Sequence, residues 1–345
     1  MKETLKCYSL YTNILKHSAT YKHGQLVLQL LSDYLDTEME LLQTYDFAVA
    51  WNWEYDREFI RLVREVFRVK NLSLLEIRTE NVEEIFNKLK KEKLQFRYFL
   101  DRASDEDDAF HPLARFVLQQ FRAGEGTPAR PINLHDLQLR AADKATMHLE
   151  FLAHNIEVPY TIIISPYNHK KEVELTISEL AKLGRPFIIK PANTTGGGIG
   201  VVMGAETLKE IIEARQFHKN DKYLLQETIQ PIACAGRRAW FRVFYAFGDI
   251  IPIWWDDVTH VYSLLTEDEE RQLDVDRLKK ITECIHTVCQ LEFFSTELVY
   301  TADQRCVAVD YVNEMCDMRL QSQFVDGVPD AIVLRIISRM MEFIR

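Results

Sequence analysis

Apolar positions change their spacing several times along the chain. From Gly24 to Gln43 the stretch GQLVLQLLSDYLDTEMELLQ repeats apolar residues at helical intervals, which predicts helix up to about Tyr45. FAVAWNW, starting at Phe47, then carries the pattern of a buried strand. DREFIRLVREVFRVK sets Phe59, Leu62, Val63, Val66 and Phe67 on one helical face. LSLLEI predicts a strand, NVEEIFNKLKKEKL a helix and FRYFLDRAS another strand. Strands alternating with helices of this length predict parallel βαβ units. RAGEGTPARP collects glycines and prolines and predicts a loop near the end of this unit.

The second half has a different rhythm. A helical pattern runs from about Leu134 to Asn155 and predicts one long helix. YTIIIS, FIIKP, GVVMG and KYLLQETIQP predict strands, the last stopping at Pro231, and ETLKEIIEARQF a helix. RAWFRVFYAF and IPIWW predict a hairpin turning at Gly248 and Asp249. In LDVDRLKKITECIHTVCQL, Val275, Leu278, Ile281, Ile285 and Val288 share a helical face. FFSTELVY and RCVAVDYVN predict strands around the turn TADQ, and PDAIVLRIISRMMEFI a closing helix. Antiparallel strands mixed with helices divide the chain into a helical N-terminal extension (1–44), an N-terminal α/β domain (45–133) and a C-terminal α+β domain (134–345). No internal repeat or low-complexity tract is visible.

Composition narrows the class. The chain has 345 residues, 47% hydrophobic and 27% charged, the balance of a soluble globular protein. No apolar run approaches the roughly 20 residues that span a bilayer, and the N-terminus lacks a secretory pattern, so no membrane association and a cytoplasmic location are expected. The six cysteines form no CxxC pair or metal-finger spacing, and reduced thiols are expected. A formal net charge of −10 argues against a general nucleic-acid binder. It leaves room for a local basic pocket.

The stretch RPFIIKPANTTGGGIGVVMG, Arg185 to Gly204, holds the densest chemistry. A Walker A loop needs lysine and Ser/Thr directly after the last glycine, at a helix start. Here Val201 and Val202 follow Gly200 and favour a strand. A dinucleotide fingerprint fails for the same reason. What remains is a glycine-rich hairpin whose amides can approach a phosphate closely, with Lys190 beside it, or a plain hairpin with no ligand.

The order of elements from 134 to 340 resembles the ATP-grasp superfamily. DKATMHLEFLAHNIEVP is similar to that family's first lysine helix, and the resemblance places Lys144 on the inner phosphates. PFIIKP resembles its second lysine strand, giving Lys190. TTGGGIGVV resembles the loop that closes over the phosphates, with Thr194, Thr195, Gly196, Gly197 and Gly198 as contacts. YLLQETI resembles the hinge beside adenine, with Gln226, Glu227 and Ile229. RAWFRVFYAFGDIIP resembles the strand that sends an arginine, here Arg242, toward the transferred phosphate. STELVYTADQRCVAVDYVNE resembles the metal hairpin, with Glu297, Asp310 and Asn313 as ligands. The fold implied is α+β, an ATP-grasp core of two α+β subdomains preceded by the N-terminal α/β domain. The cofactors implied are ATP and Mg2+, with Mn2+ as an alternative.

The spacing Asp310-Tyr-Val-Asn313 departs from the acid-x-Asn of many members. In a regular strand Asp310 and Asn313 would point apart. A bulge or the strand's end would bring them together, and Glu314 or Asp317 are substitutes.

The resemblance implies an ADP-forming ligase that activates a small-molecule or peptide carboxylate as an acyl phosphate for attack by an amine. A small-molecule kinase is the rival within the fold, and a non-catalytic nucleotide-binding regulator the rival outside it. Arg319, just after the metal strand, either faces a substrate anion or forms a structural salt bridge. Arg102, at a strand end with Ser104, either grips a substrate carboxylate or pairs with nearby acids. The adjacent Arg237 and Arg238 are expected at the surface. No histidine is assigned to metal. The N-terminal apolar helix face either packs on its own subunit or makes a homodimer.

Overall fold

The computed structural model describes residues 42–124, 128–193 and 198–345. The expected N-terminal helix therefore lies almost wholly outside the described residues. The described residues belong to two compact units. One comprises 42–44 and 84–95, where the Gln43 amide donates to the Lys93 carbonyl at 3.0 Å. The other comprises 45–83 and 96–345 and carries every residue of the candidate site.

The described residues open with a four-stranded sheet. Its strands are β1 (Gln43–Trp51), β2 (Leu74–Ile77), β3 (Leu94–Arg102) and the short β4 (Arg130–Pro131), in the order β2-β1-β3-β4. β1 runs parallel to β2 and β3 parallel to β4, as the alternating pattern predicts. β1 starts at Gln43, inside the stretch expected to be helical. Helices α1 (Arg57–Val69) and α2 (Val82–Lys90) connect these strands. A helix that the loop signal obscured, α3 (His111–Ala123), follows β3, with proline in its first turn and left-handed Gly124 as its C-cap.

The long helix expected over 134–155 is two helices, α4 (His135–Ala142) and α5 (Lys144–Ala153). Asp143 breaks it. Its backbone is extended, and its carboxylate accepts from the Ala145 and Thr146 amides, capping α5. Lys222 holds the same carboxylate at 2.9 Å.

The second sheet is antiparallel, ordered β5-β8-β6-β7 from β5 (Thr161–Ile164), β6 (Phe187–Pro191), β7 (Val202–Ala205) and β8 (Tyr223–Glu227). Helices α6 (Ile177–Leu183) and α7 (Leu208–Ala214) accompany it, each opened by a threonine capping box. A two-stranded ribbon, β9 (Ala233–Cys234) and β10 (Arg237–Arg238), leads to the third sheet. Both arginines are exposed there, and Arg238 pairs with Asp257.

The third sheet is antiparallel, ordered β13-β12-β11-β14-β15. Its members are β11 (Trp240–Ala246), β12 (Asp249–Trp255), β13 (Tyr262–Ser263), β14 (Phe293–Tyr300) and β15 (Cys306–Asn313). The β11–β12 turn is made by Phe247 and Gly248, both at positive φ, one residue earlier than expected. Two left-handed residues match the twist of the flanking strands. Helices α8 (Glu267–Gln272) and α9 (Val275–Cys289) precede β14, and α10 (Asp330–Phe343) ends the fold.

Alternation along β11 and β14 splits the core. Phe244 and Phe293 join one apolar cluster with α1, α10 and the first sheet. Phe241, Val243, Phe294 and Leu298 join another with α5 and α9. Five cysteines of the described residues are free thiols, and no helix among these residues is long and apolar enough to cross a membrane.

Candidate active site

The Arg242–Phe244 face of the third sheet changes from apolar to polar along its length. Register decides which residues share it. Glu297 stands opposite Arg242 on one side and Asp310 on the other, and Ser295 stands opposite Asn313. Ser295 and Glu297 are two residues apart and share a face. Their partners Asp310 and Asn313, three apart, therefore also share it, because one extra β15 residue is inserted between these pairs. Val309 is a second extra residue, between the Glu297–Asp310 and Leu298–Ala308 pairs. The expected conflict at Asp310 and Asn313 is thus resolved by a bulge. Beyond the polar band, Ile229, Val299, Val307 and Val309 form a small apolar cluster with Trp240 packed against it.

Arg242 is buried, its Nη2 2.6 Å from Glu297 Oε1 and its guanidinium 5.0 Å from the Trp255 ring. The Trp240 indole donates to Glu297 Oε2 at 2.9 Å. Arg242 Nε is buried with no partner among the described residues. A buried donor left open this way is costly unless something binds it. The neighbouring carboxylates drive the guanidinium's pKa up, against burial.

Both lysines reach this band. Lys190 is buried on β6 and donates from Nζ to the Val309 carbonyl at 3.1 Å, a group belonging to the bulge. Burial pulls its pKa down to about 8, the Lys144 charge adds to the fall, and Asp310 and Glu297 oppose it. Lys144 begins α5, and its backbone amide donates to the Ala192 carbonyl at 3.0 Å. Burial alone would raise Asp310. The Lys144, Lys190 and Arg242 charges outweigh it and hold the carboxyl below its usual range. Burial pushes Glu297 up, and the facing Asp310 adds to this against the Arg242 guanidinium. Two ammonium groups, one guanidinium and two carboxylates from distant parts of the sequence therefore converge.

Of the hinge residues, Gln226 is buried and Glu227 accepts from the Tyr160 amide at 2.9 Å. Ile229 lies in the small apolar cluster. Thr194, Thr195, Gly196 and Gly197 lie outside the described residues. Gly198 is exposed at φ +74°. Gly200 has φ +79°, a left-handed backbone that favours glycine, and a Cβ there would press on the exposed Phe217 ring at 3.0 Å.

The donor set fits a hard divalent cation. Glu297 and Asp310 offer carboxylate oxygens and Asn313 an amide oxygen on one face. No hydrogen bond among the described residues occupies the Asp310 carboxylate or the Asn313 amide, whereas both Glu297 oxygens are engaged, by Arg242 and by the Trp240 indole, and one of these contacts would give way to a cation. No group of three or more His, Cys, Asp or Glu able to hold a metal exists among the described residues. A cation here would rest on two carboxylates and complete its shell from phosphate and water, the habit of magnesium. Glu314 is raised to about 7 by burial, near Lys144 and Asp310.

The two remaining arginines are committed. Arg319 forks onto Asp317 at 2.8 Å and Asp326 at 3.0 Å. Arg102 grips Asp56 through Nε and Nη2, both at 2.7 Å, and donates to the Cys316 carbonyl. Its partner is thus neither a free substrate position nor the acids that follow it in sequence. Ser104 donates to Asp101 at 2.5 Å. Sequence reasoning missed Trp240, Ser295, His148 and Tyr311. Only Tyr311, set inside the odd Asp310–Asn313 spacing, left a trace.

No family model and no curated protein matches the sequence. Solved structures do match. The RimK-domain ATP-grasp protein from Sphaerobacter thermophilus is 17% identical, with TM-score 0.57 over 86% of this chain and 98% of that one. D-alanine–D-alanine ligase from Bacillus anthracis, complexed with ATP, is 14% identical, with TM-score 0.58 over 87% and 96%. The macrocyclase MdnC from Microcystis aeruginosa, bound with its precursor peptide MdnA, is 12% identical, with TM-score 0.55 over 86% and 99%. Sheet order, the converging lysines and these likenesses agree: the chain has the ATP-grasp fold.

Proposed function

We propose that this protein is an ATP- and Mg2+-dependent ligase that activates a carboxylate as an acyl phosphate for attack by an amine. The observation carrying this reading is the convergence of Lys144, Lys190 and Arg242 on the facing acids Glu297 and Asp310. Such a cluster suits a polyphosphate, since phosphoryl transfer is largely positioning and charge neutralisation. Lys144 and Lys190 would hold phosphate oxygens, and the open Nε of Arg242 would meet the transferred group. Glu297, Asp310 and Asn313 would hold Mg2+, which when bound neutralises charge on the phosphates. Gln226, Glu227 and Ile229 would flank the base, with the apolar cluster around Val299 and Val309 beneath it.

A substrate carboxylate oxygen would attack the γ-phosphorus and ADP would leave. An amine would then attack the carbonyl carbon, lose its proton and expel inorganic phosphate. Among the structural neighbours, D-alanine–D-alanine ligase and the peptide macrocyclases bear names consistent with such a reaction, and the ligase PsnB was solved with a phosphomimetic precursor, Mg and ADP. Arg319 and Arg102 are each closed by carboxylates, so they would shape the substrate side without gripping an anion.

The test is incubation with ATP, Mg2+ and a panel of amino acids and peptides in the presence of hydroxylamine. ADP formation with a trapped hydroxamate supports the ligase. Stable phosphorylation of an alcohol with no hydroxamate would make it a kinase instead.

A further inference from the structure

Tyr311 is one of the two β15 residues between Asp310 and Asn313, where the register shifts, and it is fully buried. Its phenol oxygen meets two elements directly and a third through one of them. Gln226 Nε2, on β8, donates to it at 2.9 Å and also reaches Thr161 Oγ1, on β5, at 3.2 Å. His148 Nδ1, on α5, lies 2.8 Å from the same oxygen. His148 is pushed down to about 4 by burial and by Lys190, so its ring is neutral and Nδ1 can accept the phenolic proton. The Lys190 ammonium lies 5.5 Å from the Tyr311 ring centre. The Phe151 ring meets the Tyr311 ring edge-on, 5.3 Å between centres.

We propose that Tyr311 is a positioning residue for the nucleotide–metal site, its hydroxyl tying the β15 bulge that aligns Asp310 and Asn313 to the hinge strand and to the Lys144 helix. The inference rests on the nucleotide reading above and adds a residue to it. Its hydroxyl bonds to His148 and Gln226 and not to the side chain of Asp310 or Asn313. It fixes where the ligand-bearing backbone lies, and its ring fixes one side of Lys190.

Tyr311→Phe keeps the ring and removes the tie. Calorimetric titration of this variant with ADP, with and without Mg2+, should show about tenfold weaker binding when Mg2+ is present, the scale of one lost buried hydrogen bond. The loss should be much smaller without Mg2+. His148→Phe removes the other end of the tie and should reproduce the Mg2+-selective loss, which covers the case in which Tyr311→Phe does not fold. Wild-type Mg·ADP affinity in either variant, or equal losses with and without Mg2+, would overturn the inference alone. No ADP binding by the wild-type protein would overturn the nucleotide reading and this inference with it.

Discussion

Lys190 and Val309 are joined between two sheets: the lysine ammonium on β6 donates to a main-chain carbonyl that a bulge in β15 has displaced from the regular ladder. A bulge leaves its extra residue outside the pairing, and here a buried lysine takes the group up. The same interaction keeps a buried cation beside Asp310. Lys190→Met should therefore cost about 3 kcal/mol of transition-state stabilisation, roughly a hundredfold in kcat/KM. Its melting temperature should not fall in proportion, because the lysine's depressed pKa shows that its charge is disfavoured in the fold. Parallel kinetics and thermal unfolding check this.

Nucleotide affinity should depend on pH through the same side chain. Free Lys190 titrates near 8, and bound phosphate would raise that value. Binding then takes up a proton above pH 8. Affinity should be flat below this point and fall as pH rises through it, by at most tenfold per unit. The slope should vanish in Lys190→Met. A calorimetric pH series measures both.

Asp310 is the main charge opposing the fall in the Lys190 pKa. Asp310→Asn should move the alkaline loss of nucleotide binding to lower pH than in wild type. It should also abolish the benefit of Mg2+, because only Glu297 would remain as a carboxylate ligand. The pH series repeated with and without Mg2+ reads both effects.

Arg242 and Glu297 form a buried pair, and removing one partner leaves a buried charge uncompensated. Arg242→Met should destabilise by about 3–5 kcal/mol. Combining it with Glu297→Gln should recover much of that loss. Urea unfolding of the two single variants and the double variant tests the coupling.

His148 should mark the acid side of stability. Its folded pKa is lowered to about 4 from 6.5. The unfolded chain binds more protons between these values, so stability is present above pH 6.5 and is lost as pH falls toward 4. His148→Phe should flatten this part of the stability curve.

Period made the order of elements legible, and the glycine-rich hairpin drew attention to Lys190 beside it; Lys144, Arg242 and the acidic hairpin were picked out through the resemblance to the ATP-grasp superfamily. Features decided by distant partners were hidden. Asp143 breaks a continuous apolar pattern by capping α5 with help from Lys222, far along the chain. The β15 bulges exist only relative to β14, so the spacing Asp310–Asn313 could pose the question without answering it. Arg102 reads as an open fork until α1 brings Asp56 against it. The Tyr311 network gathers residues from four elements and has no local signature. The helix His111–Ala123 was legible in principle from Pro112 and Gly124, but the glycine–proline loop that follows dominated the pattern.

The most direct measurement is a calorimetric titration of the wild-type protein and Lys190→Met with a non-hydrolysable ATP analogue, with and without Mg2+. The account predicts one site per chain in the wild type, strengthened by Mg2+ and severely weakened in the variant. Absence of binding, or binding indifferent to both Mg2+ and Lys190, would contradict it.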